Sequence, residues 1–235
     1  MPRAAGETDC AKYDATPDWR FDPAEKIAEL DSLCAATCID VPGRVVIAGY
    51  SNLRDIPLLG KLRSVQDLTI DVEGLTDLRG LEQVDVIGKL ELRTHGQDLT
   101  SLKSINGLVD RRMSSLKIQT VYGLAELDGP KFEELDDFEA QGVGLERLDF
   151  STLTMKSVYV RVGALTELSI GSGTSMTISL DDIGPLTTFR WEPLTARAIN
   201  IVDNENLSSC LVDDFVTQTA TRGAVVLTNG NGPCP

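Results

Sequence analysis

Nine short apolar segments of the chain share one skeleton: a strand-like pair of aliphatic residues, then leucines or their equivalents at every third position, then a restart. The pairs are Val46/Ala48, Leu68/Ile70, Leu90/Leu92, Leu116/Ile118, Phe138/Ala140, Val158/Val160, Ile178/Leu180, Ile199/Ile201 and Val225/Leu227, and they begin 22, 22, 26, 22, 20, 20, 21 and 26 residues apart. A period of that size marks a solenoid, in which each coil buries its apolar face only against its neighbours. The sequence therefore predicts a mainly β fold of about nine coils over residues 40 to 235, preceded by a lead-in and capping helix over residues 1 to 39, all within one structural domain.

Alternate residues of a strand point to opposite faces, so each pair fills the interior and its neighbours face outward. The expected outward set is Thr69, Asp71, Glu91, Arg93, Lys117, Gln119, Glu139, Tyr159 and Arg161. Beyond the strands, the first three coils continue through Leu53, Ile56, Leu59, Leu62 and Val65, through Leu75, Leu78, Leu81 and Val84, and through Leu99, Leu102 and Ile105. That spacing suits tight turns or short 3-10 pieces. Coils four to seven lose much of this ladder, as in TISLDDIGPLTTFRWEPL, which predicts a more irregular far side there.

The N-terminal stretch differs. Asp22 is a good N-cap, Pro23 suits the first helical position, and Ile27, Leu30 and Leu33 follow at helical spacing towards Cys38. Such a helix would cover the apolar end and unpaired strand edge of the first coil. Residues 1 to 21 are expected to be an irregular lead-in held by Cys10.

Twenty-two Lys+Arg against thirty-six Asp+Glu give a net charge of -14. That field repels phosphate backbones and anionic membrane surfaces, so nucleic acid is not an expected partner. No apolar run reaches the roughly 20 residues of a bilayer span. The opening MPRAAGETDC lacks a signal-peptide core, so it either starts a cytosolic protein or belongs to a chain from which targeting sequence was removed. The five cysteines, Cys10, Cys34, Cys38, Cys210 and Cys234, all lie in the terminal regions and none in the repeats between. Free cysteine packs as a small hydrophobe and has no reason to avoid a core, whereas disulfides in an oxidising compartment staple weakly buried ends. Zinc is the alternative for this cluster, with Cys34-x3-Cys38 as half a site.

The run of coils followed by NENLSSCLVDDFVTQ and a last strand ending NGNGPCP resembles the receptor L-domain-like proteins, relatives of leucine-rich repeats, and especially bacterial secreted or lipid-anchored surface proteins of that kind. The resemblance covers residues 44 to 235 and rests on Asn204, Leu207, Cys210, the stretch Val212 to Thr217, and Cys234. It implies a right-handed solenoid of parallel strands, an extracellular or cell-surface location, and recognition or adhesion rather than catalysis. It further implies a C-terminal cap in which the last coil runs into a short helix and a final strand. A Cys210–Cys234 disulfide is expected to close that cap. Among Cys10, Cys34 and Cys38 one pair is expected, with Cys10 bonded to one of the other two. No lipid-attachment motif precedes Cys10, so membrane contact is expected only through an anchor that has been removed.

Chemistry is sparse. His95, the only histidine, reads as a solvated turn residue after the third strand. GSGTSM lacks the Lys-Ser/Thr of a phosphate-binding loop and reads as a turn. Asp136-Asp137, Asp181-Asp182 and Asp213-Asp214 are the carboxylate pairs that a carbohydrate-active solenoid enzyme would need, and that is the alternative function. Adjacent strand residues face opposite sides, however, which favours structural acids. Asp203-Asn204-Glu205-Asn206 could ligate calcium, but a turn whose asparagines satisfy backbone groups needs no ion. No cofactor is expected. Aromatic residues make up 5% of the chain, and Trp191 stands out: it either packs in the coil wall with Phe189 or, if exposed beside Tyr159, anchors a ligand. The primary expectation is a non-catalytic module that binds an extracellular protein or glycan through its strand face, using Asp71, Glu91, Arg93, Lys117, Gln119, Glu139, Tyr159, Arg161 and Trp191.

Overall fold

The computed structural model describes residues 11–12, 19–21, 38–49, 61–72, 84, 86–96, 111–121, 126–128, 132–142 and 144–234. They form a mainly β, parallel solenoid of about six turns. In chain order the elements are β1 Ala11–Lys12, β2 Trp19–Phe21, β3 Ile39–Gly49, β4 Leu62–Val72, β5 Val86–Gly96, β6 Arg111–Val121, β7 Glu126–Asp128 and β8 Phe132–Gln141. They continue with β9 Arg147–Asp149, β10 Ser157–Arg161, β11 Glu167–Ile170, β12 Gly173–Asp181, β13 Thr188–Trp191, β14 Leu194–Val202, the helix α1 Ser209–Thr219, and β15 Ala220–Leu227. The principal sheet runs β1-β3-β4-β5-β6-β8-β10-β12-β14-β15, with β2 also paired to β3, and the second sheet runs β13-β11-β9-β7.

Two interior columns carry the fold. Leu68, Leu90, Leu116, Phe138, Val158, Ile178 and Ile199 stand in register in one. Ile70, Leu92, Ile118, Ala140, Val160, Leu180 and Ile201 form the other, and no member of either is more than 1% exposed. Burying a side chain of this size contributes roughly 1.5–3 kcal/mol, so these columns dominate the stability of the stack.

The first and last strands are corrected by one residue. Val45 and Ile47, not Val46 and Ala48, pair with Leu68 and Ile70 and continue the columns. In β15, Val226 lies opposite Ile199, while Val225 and Leu227 face outward at 65% and 56% exposure. Both segments are unbroken apolar runs, VVIA and AVVL, in which alternation cannot set the parity and cross-strand pairing does.

The later coils are more regular than expected. β7, β9, β11 and β13 build a parallel far wall in register, with Leu148, Leu168 and Phe189 in one buried column. Losing the every-third leucine leaves a period-2 pattern in its place, as in Leu148/Phe150 and Leu168/Ile170, and that pattern forms strands.

Where the principal strands end, the corner is made by a left-handed residue: Thr120 (φ 58°), Gly142 (φ 58°), Asp182 (φ 48°) and Asp203 (φ 56°). Gly and Asp enter this region most readily, Gly for want of a Cβ and Asp through local hydrogen bonding.

At the N-terminal end, β1 and β2 both pair in parallel with β3, so parts of the expected irregular lead-in are sheet. The expected helix lies outside the described residues, as do Cys10 and Cys34. Cys38 is disulfide-bonded, and its partner also lies outside them. At the C-terminal end, α1 buries Val212, Phe215 and Thr219 against the last coil. Cys210 at its start is bonded to Cys234, with Cα atoms 5.1 Å apart. The tail is tied back by hydrogen bonds from Asp203 N–H to the Asn229 carbonyl (2.9 Å) and from Ser209 N–H to the Gly232 carbonyl (2.9 Å).

Candidate functional site

The parallel register gathers eight of the nine expected binding residues on the outer face of the principal sheet. One outward column runs Thr69, Glu91, Lys117, Glu139, Tyr159, Ser179 and Asn200. The next runs Asp71, Arg93, Gln119, Gln141 and Arg161, with Asp181 beyond. Signs alternate along these columns, so neighbours pair. Lys117 Nζ lies 2.9 Å from Glu139 Oε1, which also accepts from Gln119 Nε2 at 3.2 Å. Arg93 contacts Glu91 at 2.7 Å, and Arg161 lies 3.7 Å from Asp181. Exposed pairs of this kind contribute about 0–1 kcal/mol each, so they set a pattern of charge rather than holding the sheet together. Thr69 departs from expectation: it is 6% exposed, beneath the Arg44 guanidinium, which donates to its hydroxyl at 3.4 Å.

Trp191 lies elsewhere. It stands at the end of an inward column of the second sheet, after Phe150 and Ile170, on the last strand β13. It is therefore not beside Tyr159. Its ring packs edge-on to Phe215 (5.0 Å, 78°) and tilted to Phe189 (5.2 Å, 52°), and its indole N–H donates to Gln218 Oε1 at 3.3 Å. Because no further strand follows β13, the ring stays partly exposed and forms one wall of a cleft of about 480 Å³. The opposite walls come from Gly173 and Thr174 of β12, from Pro193, Leu194 and Thr195 at the start of β14, and from the last turn of α1 at Gln218 and Thr219.

Sequence reasoning missed this cleft. The last four residues of GSGTSM are not a turn between coils but the start of β12, where the register against β14 slips between Gly173 and Met176 and again before Thr177. A glycine within a strand pattern is the available signal for such a bulge.

The carboxylate pairs do not converge. Asp136 faces Lys156 at 2.6 Å and Asp137 accepts from Ser157 Oγ at 2.6 Å. Asp181 faces Arg161, whereas Asp182 is a left-handed corner residue. Asp214 accepts from Gln218 Nε2 at 2.8 Å within α1. His95 lies inside β5 rather than in a turn. Asn204 is fully buried and spends its carboxamide on structure: Oδ1 accepts from Ile183 N–H (2.9 Å), and Nδ2 donates to the Leu180 carbonyl and to Asn231 Oδ1 (3.2 Å each). Among the described residues no cluster of three or more His, Cys, Asp or Glu is arranged to hold a metal ion.

One carboxylate is electrostatically distinctive. Burial works to raise the pKa of Asp149, but hydrogen bonds from the Ser151 hydroxyl (2.7 Å) and backbone N–H (3.1 Å), helped by Arg147, outweigh it and hold the group below the usual carboxylate range. This is a structural knot on the second sheet, away from both candidate surfaces. Comparison with protein-family models, with curated proteins and with solved structures finds no match for this chain.

Proposed function

We propose that this chain is a non-catalytic extracellular recognition or adhesion module, of the receptor L-domain-like kind, that binds a protein or glycan through the outer face of its principal sheet. The observation that carries this reading is the register itself, which brings Asp71, Glu91, Arg93, Lys117, Gln119, Glu139, Tyr159 and Arg161 onto one continuous parallel face. Nine strands at about 4.8 Å, three outward positions deep, give a face of roughly 40 by 20 Å. That matches the roughly 800 Å² per partner of a standard interface. Alternating charge selects a partner of complementary pattern and penalises mismatched ones. The separated acids favour binding over hydrolysis. Disulfides at Cys38 and at Cys210–Cys234 support an oxidising compartment, and the winding is right-handed on the general rule for parallel crossovers.

The test is a screen of the purified, oxidised chain against arrays of surface glycans and extracellular protein domains, with and without calcium. The expected result is a salt-sensitive hit that Arg161→Glu weakens at least tenfold. Hits that ignore changes on this face, or glycan cleavage abolished by Asp181→Asn/Asp182→Asn, would replace the reading.

A further inference from the structure

The cleft beside Trp191 has the chemistry of a sugar site, and we propose that it binds a neutral saccharide, with one pyranose face stacked on the indole. Four observations converge on this. The platform is fixed in advance: Trp191 is wedged against Phe189 and Phe215, and its N–H is held by Gln218. A rigid aromatic offers contact area with little ordering cost.

The lining is uncharged. None of the eight residues around the cleft is ionisable, in a chain where 25% are charged. Its exposed hydroxyls, Thr174 and Thr195, both donate and accept, as the hydroxyls of a sugar do, while the Gln218 carboxamide is engaged with Trp191 and Asp214 and the buried Thr219 hydroxyl donates to the Phe215 carbonyl. A net charge of -14 adds a field that opposes anionic ligands, which leaves neutral sugars.

The cleft is a built feature. The β12 bulge that opens it holds Ser175 in a left-handed conformation (φ 55°), with the Ser175 N–H donating to Thr195 Oγ1 at 3.1 Å. Gly173 cannot be replaced without displacing its surroundings, since a Cβ there would meet Met176 Sδ at 2.4 Å and the Met155 carbonyl at 2.5 Å. Bulges and strained residues gather at functional sites. The volume of about 480 Å³ also lies within the roughly 300–1,000 Å³ of ligand sites. This site is separate from the strand face and does not depend on the reading given for it.

The experiment titrates the full chain with maltose, cellobiose, chitobiose and lactose, followed by tryptophan fluorescence and saturation-transfer NMR. At least one sugar should bind saturably. Its affinity should fall at least about tenfold in Trp191→Ala and measurably in Thr174→Val, a change at an exposed residue that leaves the aromatic cluster intact. Charge reversal on the strand face, Lys117→Glu with Glu139→Lys, should leave it unchanged. The proposal is overturned if no sugar binds up to about 10 mM. It is equally overturned if binding survives both cleft variants, if the strand-face variant abolishes it, or if only peptides occupy the cleft.

Discussion

Replacing Leu90 by alanine probes the interior column at its most constrained point. Leu90 is 1% exposed and stands between Leu68 and Leu116, both equally buried. The change removes three carbon groups, a transfer loss of roughly 2.4 kcal/mol at about 0.8 per group. In a parallel stack the flanking strands are hydrogen-bonded in register on both sides, so they cannot collapse into the space, and a cavity term is added. The total should reach about 3–5 kcal/mol. The neighbouring Glu91→Ala changes a half-buried ion pair on the outer face and should cost within about 1 kcal/mol. Val226→Ala, in the same column but 36% exposed at its open end, should fall well below Leu90→Ala. Urea unfolding followed by circular dichroism measures all three, with the m-value checking that the same surface is exposed. A Leu90→Ala cost within about 0.5 kcal/mol of zero, the range of ordinary surface changes, would refute the column assignment.

Breaking the C-terminal staple with Cys210→Ser should destabilise the chain by roughly 3–4 kcal/mol in the chain-entropy model, and non-reducing peptide mapping of the wild type should recover Cys210 and Cys234 in one linked peptide. Asn204→Ala strands the Ile183 N–H and the Leu180 carbonyl in a buried site, at about 1–3 kcal/mol for each group left unsatisfied; a near-neutral melting shift would show that the corner does not depend on this carboxamide. Asp149 gives a pH signature: its depressed folded-state pKa means that its contribution is present above the unfolded value of 3.8 and is lost as pH falls through the folded one. Asp149→Asn should therefore lower the melting temperature at about pH 6 and converge with the wild type as pH falls below the folded-state pKa, and a constant difference between the two would contradict the linkage.

How much of this was legible in the sequence depended on whether apolar residues alternate. Leu68/Ile70 through Ile199/Ile201 are separated by polar or small residues, and their inward pairs follow from period two alone. Val45 to Ala48 and Ala224 to Leu227 do not alternate, so a run there fits either parity. Trp191 sits in a legible strand pattern, Phe189-Arg190-Trp191, but its partial exposure depends on β13 being the last strand of its sheet, which no local pattern records. The cleft was missed for the same reason, because Thr174, Thr195 and Gln218 are far apart in sequence and only the bulge and the docking of α1 bring them together.

The strand face is tested most directly by exchanging a pair within it, Lys117→Glu together with Glu139→Lys. The 2.9 Å ion pair is preserved with its polarity reversed, but the new carboxylate at position 117 stands beside Glu91 and the Gln119 hydrogen bond is lost, so the fold should be retained at a cost of about 1 kcal/mol. The pattern shown to a partner is inverted at the centre of the face. Affinity for the partner found by array screening should fall at least tenfold, about 1.4 kcal/mol or more, whereas unchanged affinity in a folded double variant would contradict recognition through this face.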